Sequence, residues 1–423
     1  MDFTNISEQM RGRLQAILPA LRASHGVSTA DGLPPVDVSI AENELLRTEM
    51  LDLTKAAINA HLQPKDLAYP EGFGGDPELL ASLARFFNAH FQPANPVEPG
   101  HILATSGAGN ALDALLCAVC NDGDRVLVAG PCWEGFAPYF RIHANVTPVF
   151  VTAPSLDAAT RAGILDALMA AYHGDEDPGR IKAVVLTNPN NPLGRCYDPE
   201  VLRECLRFCN LHDLHLISDE VYALSSFRTD PNSAPFTSVL SLPDVGDSGA
   251  SSTQASRVHV VWSLSKDLGC GGLRLGCIVS QANAALRLGS GLASFWQVSS
   301  LASVLATAVL NSAGLDDLLQ RNSEALRESY ERLTDGLTRL GLQYIPATHG
   351  MFVFAKLIAG ACTAPEEAAA VEKLARLGLI VAPGQRFSPG GAECGWIRIT
   401  FAVVPERISR VLEVLAQFQS LQE

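Results

Sequence analysis

Five short apolar runs, rich in β-branched residues, recur along the middle of the chain and constrain its fold more than any other feature. They are Arg125 to Ala129, Ala183 to Thr187, Leu214 to Ser218, Val258 to Trp262 and Gly276 to Ser280. Stretches with helical spacing of apolar residues lie between several of them. Strands that alternate with helices predict an α/β fold with a mainly parallel sheet between layers of helices.

The strand signal fades beyond about Ser290, where amphipathic helices dominate. Short strand candidates return at Phe352 to Phe354 and Ile397 to Phe401, and a last amphipathic helix follows them. This pattern predicts a second, smaller α+β domain. The segment Asp230 to Ser256 is rich in Ser, Pro, Gly and Asp, which is typical of a surface insertion.

Composition fits a globular enzyme, since 423 residues with 47% apolar side chains can bury a large core. A net charge of −14 and the lack of a dense Lys/Arg run argue against a nucleic-acid partner. No apolar stretch is long enough to cross a membrane, and no secretory signal precedes the first helix, so we expect a cytoplasmic protein. Residues 6–21 have helical apolar spacing; Asp2 and Glu8 favour an amphipathic arm over a transit peptide.

The ten cysteines are scattered, and we expect no metal site. Cys117 and Cys120 form a C-x-x-C pair, but they lie in a helical apolar pattern without a second ligand pair nearby, which favours core cysteines over zinc ligands. Cys205 and Cys209 have helical spacing and fit helix packing, while His212 and His215 fit a surface position better than a metal site.

Lys266 lies four residues after Trp262, in the segment that directly follows the run Val258 to Trp262. This is the carboxyl end of a predicted strand, where sites of parallel sheets form. Two serines, Ser263 and Ser265, and the downstream Arg274 flank Lys266. An aldehyde cofactor with a phosphate arm needs a lysine for a Schiff base, and hydroxyls and an arginine for the phosphate. A lysine after a strand is more often a solvated loop residue, so this spacing alone leaves both interpretations open.

Six further motifs are spread along the chain. They are Ala41-Glu42-Asn43-Glu44-Leu45, Ser106-Gly107-Ala108-Gly109, Pro131-Cys132-Trp133-Glu134-Gly135-Phe136, Thr187-Asn188-Pro189-Asn190-Asn191-Pro192-Leu193-Gly194, Ser218-Asp219-Glu220-Val221-Tyr222 and Gly395-Trp396-Ile397-Arg398-Ile399-Thr400-Phe401. With these motifs in this order, the chain resembles the pyridoxal 5'-phosphate (PLP) enzymes of fold type I, within the class I/II aminotransferase family, and especially its 1-aminocyclopropane-1-carboxylate (ACC) synthase-like branch. The resemblance covers about residues 38–405.

The resemblance implies a role for each catalytic candidate. Lys266 would carry the cofactor and later remove the Cα proton of the substrate. Asp219 would pair with the ring nitrogen of PLP, although an aspartate after a buried strand is also often a helix cap. Tyr222 and Asn191 would donate to the phenolic oxygen, and Trp133 would stack on the ring, although an aromatic residue after proline is more often part of the core.

The remaining candidates concern the phosphate and the substrate. Gly107, Ala108 and Gly109 lead into a predicted helix, whose amides would hold the phosphate together with Ser263, Ser265 and Arg274. Arg398, inside an apolar strand, would bind the substrate carboxylate, because burying an arginine without an anion is costly. The resemblance also places Glu42 and Asn43 at the substrate.

Two departures from the family pattern stand out. A tyrosine of the neighbouring subunit contacts the phosphate in this family; Tyr69 is one residue out of register for that role, and Phe73 occupies the ACC synthase position. We assign the role to Tyr69. ACC synthases carry an Asp-Arg-Asp run where this chain has Ala137-Pro138-Tyr139, so a charged part of the pocket is missing and the pocket beside Tyr139 and Phe140 is expected to be more apolar.

The resemblance also implies an N-terminal arm that packs on the small domain. We expect residues 1–60 to form the arm and part of the small domain, 61–295 the large PLP domain and 296–423 the rest of the small domain, in a homodimer.

Once the Cα proton is lost, transamination, β-elimination and γ-elimination with ring closure all stay open. Similarity to fungal ACC synthase-like enzymes favours a carbon-sulfur lyase of secondary metabolism, as found in sulfur-containing diketopiperazine pathways, with an aminotransferase as the alternative. A catalytically inactive regulator is disfavoured because Lys266, Asp219, Tyr222 and Arg398 are all present.

Overall fold

The computed structural model describes residues 5–23, 34–69, 72–227, 230, 232–242, 255–295, 298–388 and 394–421. Within these ranges the helices are α1 Glu8–Ala23, α2 Arg47–His61, α3 Pro77–His90, α4 Ala108–Val119, α5 Phe136–Ile142, α6 Ala162–His173, α7 Pro199–Leu211, α8 Leu264–Asp267, α9 Ala284–Ser294, α10 Ser300–Leu310, α11 Leu315–Arg339, α12 Ala364–Arg376 and α13 Pro405–Ser420. The strands are β1 Val36–Asp37, β2 Ile102–Thr105, β3 Arg125–Gly130, β4 Thr147–Thr152, β5 Ile181–Thr187, β6 His215–Asp219, β7 Val258–Ser263, β8 Gly276–Val279, β9 Tyr344–Ile345, β10 Phe352–Lys356, β11 Leu379–Ile380, β12 Ala382–Pro383 and β13 Trp396–Thr400.

A sheet of seven strands forms the centre of the large domain, in the order β2-β8-β7-β6-β5-β3-β4. Strands β3 to β7 pair in parallel, while β8 runs antiparallel to both of its neighbours. The inner strands are buried along nearly their whole length, because helices cover both faces. The prediction of a mainly parallel sheet is confirmed. The sequence did not predict the two edge strands β2 and β4.

The small domain contains an antiparallel sheet in the order β12-β13-β10-β9, with α11, α12 and α13 packed nearby. The N-terminal arm joins this domain through a parallel pair, in which Val36 of β1 lies opposite Leu379 of β11. A separate hydrophobic core holds the unit together and includes Phe227, Tyr330 and Phe401, whose rings contact one another. The helix α1 instead lies beside α5 of the large domain.

The packing of the helices bears on where the boundary between the two domains falls. Helix α10 packs against α2 and α3, and Leu305 and Leu318 belong to the core of the large sheet. Beyond residue 295, the first residue in the core of the small domain is Leu326, inside α11. We therefore propose that the boundary falls within α11 and not at residue 295, and that α2 belongs with the large domain.

Two further predictions need correction. Cys117 is exposed, so it is not a core cysteine, while Cys205 and Cys209 are buried as predicted. The segment predicted as a surface insertion lies partly outside the described residues, but Leu240 is buried in its described part. There Ser238 and the Val239 amide donate to the buried carboxylate of Glu220 at 2.6 and 3.0 Å, so this stretch belongs to the core.

His215 is half-buried and contacts the buried His259 at 2.9 Å, so it is not a surface residue. Burial lowers the pKa of His215 to about 4. Among the described residues, no cluster of His, Cys, Asp or Glu could hold a metal ion, and no helix is long and apolar enough to cross a membrane.

Candidate active site

A cavity of about 1580 Å³ opens at the carboxyl ends of the parallel strands. Thr187, Asp219 and Ser263 are the last residues of β5, β6 and β7, and all three line it. The N-terminal arm, the start of α4 and the face of α12 supply the other walls. The sheet topology thus brings residues that are far apart in sequence to one edge, as expected for this class of fold.

Lys266 lies in the single turn α8, directly after β7, and its side chain reaches into the cavity. Its Nζ donates to the carbonyl oxygen of Ala41 in the arm. Desolvation, with a smaller contribution from the positive charge of Arg398, lowers the pKa of Lys266 to about 8, although Glu42 and Asp219 oppose the shift. A neutral amine, which is the nucleophilic form, is therefore accessible near neutral pH.

The turn that carries Lys266 is fixed by Asp267, a residue that the sequence did not single out. The buried Asp267 carboxylate accepts from Ser225 Oγ at 2.6 Å and from Trp262 Nε1 at 2.9 Å. Burial nevertheless raises the pKa of Asp267 to about 7. In the sequence, only its position next to Lys266 could have indicated this role, because its partner Ser225 is 42 residues away.

Asp219 is buried at the end of β6, and desolvation raises its pKa to about 7 against the opposing effects of the Val221 amide and Lys266. Such a carboxylate gains much from a cationic partner. Tyr222, three residues on, is also buried, and burial raises its pKa. The ring of Tyr222 packs edge-on against Phe352 at 5.3 Å, which holds the phenol at the cavity wall.

The start of α4 forms a narrow cradle. Gly107 has a φ of +85°, and a Cβ there would lie 2.5 Å from Nη2 of Arg274. Arg274 in turn donates to the carbonyl oxygen of Ser106 at 3.1 Å. Ala108 and Gly109 begin the helix, so their amides point towards the cavity without helical partners. Ser263 and Ser265 line the same region, which makes a site for a phosphate.

Arg398 lies in the middle of β13 and is 4% exposed. Its guanidinium donates to Asn191 Oδ1 at 2.9 Å and to the carbonyl oxygen of Ser39 at 2.5 Å. The rings of Phe387 and Phe352 lie 4.8 and 5.2 Å from its central carbon. Its Nε has no partner in the described residues, and the side chain lines the cavity, so it is ready to bind an anion there.

Trp133 also lines the cavity, with its ring 5.3 Å from that of Tyr139, which itself packs close to Gly109. Phe140 does not reach the cavity, because its side chain is fully buried in the core below α5. The apolar wall expected beside Tyr139 is therefore formed by Ala137, Pro138 and Tyr139.

Three predicted site residues need separate mention. Glu42 lines the cavity and pairs with Arg47 at 2.6 Å. Asn43 is not brought to the cavity, because its buried amide bonds to Asn322 at 2.8 Å and to the Leu45 amide at 3.1 Å. Tyr69 is 99% exposed and lies away from the cavity of its own chain.

Unpartnered buried atoms test whether PLP fits this cavity. Of the nine buried side-chain atoms without a hydrogen-bond partner in the described residues, four belong to cavity-lining residues: Thr187 Oγ1, Asp219 Oδ1, Ser263 Oγ and Arg398 Nε. Buried polar atoms are normally paired, so a polar ligand is expected here. A ring nitrogen suits Asp219, a phosphate suits Ser263 and a carboxylate suits Arg398. The donor set fits PLP with an amino-acid substrate.

Comparison with known proteins identifies the family. The family model for class I and II aminotransferases matches residues 36–415. The probable aminotransferase aclI of Aspergillus oryzae is 39% identical over 96% of both chains, and the probable aminotransferase sirI of Leptosphaeria maculans is 36% identical over 98% of this chain and 100% of that one. ACC synthase 1 of Oryza sativa subsp. indica is 31% identical over 89% of this chain and 78% of its own length.

Solved structures agree on the fold. Aspartate aminotransferase from Thermus thermophilus with maleate has a TM-score of 0.76 at 22% identity, covering 98% of this chain and 100% of that one. The chain therefore belongs to the class I and II aminotransferase family and is a PLP-dependent enzyme of fold type I.

Proposed function

We propose that the protein is a carbon-sulfur lyase of secondary metabolism, which removes the Cα proton of an S-substituted cysteine and expels the thiol. The observation that carries the proposal is the outer wall of the cavity. Ala137, Pro138 and Tyr139 line it without a formal charge, and about 1580 Å³ is more than the roughly 300–1000 Å³ usual for small-molecule sites. A bulky, uncharged substituent on the substrate suits this space.

Different residues of the chain bind the substrate, accept the proton and hold the cofactor. Arg398 holds the substrate carboxylate with its planar guanidinium, and Asn191 and Ser39 fix the orientation of that group. Lys266 accepts the Cα proton, for which a pKa of about 8 is well matched to neutral pH. PLP, when bound, supplies the electron sink that makes this proton acidic. Asp219, Asn191, Tyr222 and Trp133 would hold the ring, and the start of α4 with Ser263, Ser265 and Arg274 the phosphate.

The leaving group needs little help from the protein. A thiol has a pKa of about 8.5, so it can leave as the thiolate near neutral pH without a dedicated acid. An uncharged wall such as Pro138 and Tyr139 is compatible with that departure, since it needs only to accommodate the substituent. The same wall disfavours the ACC synthase-type γ-elimination, because it lacks the charged run of those enzymes.

Transamination is the second candidate function. The fungal relatives are themselves named probable aminotransferases, and their similarity extends over nearly the whole chain. A relationship to secondary metabolism is supported by the acetylaranotin synthesis protein ataIMG of Aspergillus terreus, of which a segment is 37% identical over 83% of this chain. That protein is much longer, since the match covers 35% of its length.

A single turnover without any 2-oxo acid separates the two reactions. With an S-benzyl-cysteine-type substrate in slight deficit over holoenzyme, we expect one equivalent of thiol and an unchanged visible absorbance band. Lys266→Ala should abolish thiol release, whereas Lys182→Ala, in β5 and outside the cavity, should not. Loss of the visible band without thiol would show an aminotransferase instead. Borohydride reduction and peptide mapping should place the cofactor on Lys266.

A homodimeric active unit and a cytoplasmic location complete the proposal. The exposed Tyr69 supports the dimer, because it could contact the phosphate only in the site of a second copy.

A further inference from the structure

An ion pair to which neither the motifs nor the family resemblance assigned a role lies at the cavity. Glu134 follows β3 in the large domain, and Arg386 ends a short helical turn in the small domain. Arg386 Nε lies 3.3 Å from Glu134 Oε2. Both side chains are about one-third exposed, Glu134 at 37% and Arg386 at 36%. The backbone bond from Cys132 to the carbonyl oxygen of Phe387, 2.8 Å long, holds the two loops together beside the pair.

The pair lies close to the group that binds the substrate carboxylate. Phe387, the neighbour of Arg386, covers the guanidinium of Arg398 at 4.8 Å. Burial lowers the pKa of Arg398, and Tyr222 and the negative charge of Glu134 oppose this shift, so Glu134 acts on Arg398 electrostatically. Arg386, Glu134 and Arg398 all line the same cavity. A substrate held by Arg398 therefore shares its cavity with the ion pair.

A free arginine at this position would bind a second carboxylate, because its planar fork matches carboxylate geometry. Here Arg386 Nε is already paired with a carboxylate oxygen of the protein, Glu134 Oε2. An acidic substrate side chain would have to displace Glu134 and would then leave two carboxylates close together, which is unfavourable. An uncharged side chain meets no such repulsion.

We propose that Glu134 neutralises Arg386 as a second anion-binding side chain beside Arg398, and that this ion pair gives the site its preference for amino acids with uncharged side chains. The inference rests on the proposed function only in taking Arg398 as the carboxylate site, and it holds for elimination and transamination alike. Glu134 and Arg386 are specificity-determining residues, since neither acts on the reacting bonds.

Binding of simple carboxylates to the holoenzyme tests the inference without catalysis. Calorimetric titration with succinate, glutarate and butyrate compares two carboxylates with one. The measured quantity is the ratio of the affinity for a dicarboxylate to the affinity for butyrate. For at least one dicarboxylate, we expect this ratio to be about fivefold higher in Glu134→Gln than in the wild type, which is the effect of one partly exposed ion pair. In Glu134→Gln/Arg386→Gln, the ratio should return to the wild-type value.

Glu372→Gln is the matched control. Glu372 also lines the cavity, but it lies 3.5 Å from Arg376 and not beside Arg386, so its substitution removes the same charge and leaves the ion pair intact. The ratio should not change. If Glu134→Gln does not fold into holoenzyme, Glu134→Ala removes the same carboxylate and must show the same gain.

An unchanged ratio in the Glu134 variants would overturn the inference. A gain that persists in the double variant would overturn it as well, because another cation, such as Arg141 at the cavity edge, would then be the source. Arg398→Gln should weaken binding of all three ligands. Unaffected butyrate binding in that variant would contradict the proposed carboxylate site itself, so failure of the proposed function can be told from failure of the inference.

Discussion

Ser263 and Ser225 are buried serines near α8 that differ in what their hydroxyls contact. Ser263 Oγ has no partner in the described residues and lines the cavity, whereas Ser225 Oγ donates to Asp267. We expect Ser263→Ala to leave the stability of the apoprotein nearly unchanged and to weaken PLP binding about tenfold, the cost of one hydrogen bond to a charged group.

Ser225→Ala should show the opposite pattern. It removes a donor to a buried carboxylate, so it should lower the free energy of unfolding of the apoprotein by about 1–3 kcal/mol. Thermal unfolding of both apoproteins and titration with PLP compare the two variants directly. Equal destabilisation by both substitutions would contradict the assignment of Ser263 to a ligand.

The lowered pKa of Lys266 predicts how attachment of PLP depends on pH. The attacking amine must be neutral, so below its pKa of about 8 the reactive fraction falls about tenfold per pH unit. In the unfolded chain a lysine has a higher pKa, so the folded site, not the lysine alone, makes attachment fast near neutrality. The rate of appearance of the visible band after mixing apoprotein with PLP should rise from pH 6 and level off above about pH 8. A plateau only above pH 10 would contradict it.

Single residues were predictable from the sequence where chemistry dictates the residue type. Lys266, Asp219 and Arg398 stand in local motifs, and the structure brings them to one cavity. The partners of Asp267 and Glu134 were not predictable, because they lie 42 and 252 residues away, at Ser225 and Arg386. A motif can predict a charge, but not which distant side chain will neutralise it.

At the scale of elements, the contact between β8 and the start of α4 makes Gly276 indispensable. A Cβ on Gly276 would lie 2.7 Å from the carbonyl carbon of Gly107 and 2.8 Å from the Ala108 nitrogen. Gly276→Ala should displace the phosphate cradle, lower stability by about 1–3 kcal/mol and weaken PLP binding. Gly272→Ala is the matched control, since nothing lies within 4 Å there. Melting temperature and PLP titration are the measurements, and indistinguishable variants would contradict the contact.

The missed strands have a common physical reason. Both β2 and β4 are edge strands of the large sheet, and they are short or contain a proline, Pro148. Inner strands are buried on both faces and give a continuous apolar run, which the sequence shows clearly in β5 and β7. The antiparallel direction of β8 depends on the connection after α8 and is not visible in its own residues.

At the scale of the whole molecule, the sequence predicted two domains, and the limits that we propose from packing differ from the predicted ones. The helical spacing of α10 is the same whichever domain it covers, and only packing against α2 and α3 assigns it to the large one. The pairing of β1 with β11 likewise joins segments more than 300 residues apart. Long-range packing of this kind leaves no periodic signal in the sequence.

The proposed homodimer predicts subunit complementation. In a homodimer whose phosphate site takes Tyr69 from the neighbour, a Lys266→Ala chain and a Tyr69→Ala chain each lack one part of every site. A mixed dimer combines the intact Lys266 of one chain with the intact Tyr69 of the other, so it contains one complete site. Mixing the two variants under conditions that allow exchange, at limiting PLP, should therefore restore activity that neither shows alone. Sedimentation should show dimers throughout. If Tyr69 instead acted within its own chain, or if the active unit were a monomer, mixing would restore nothing, because every site would keep one defect.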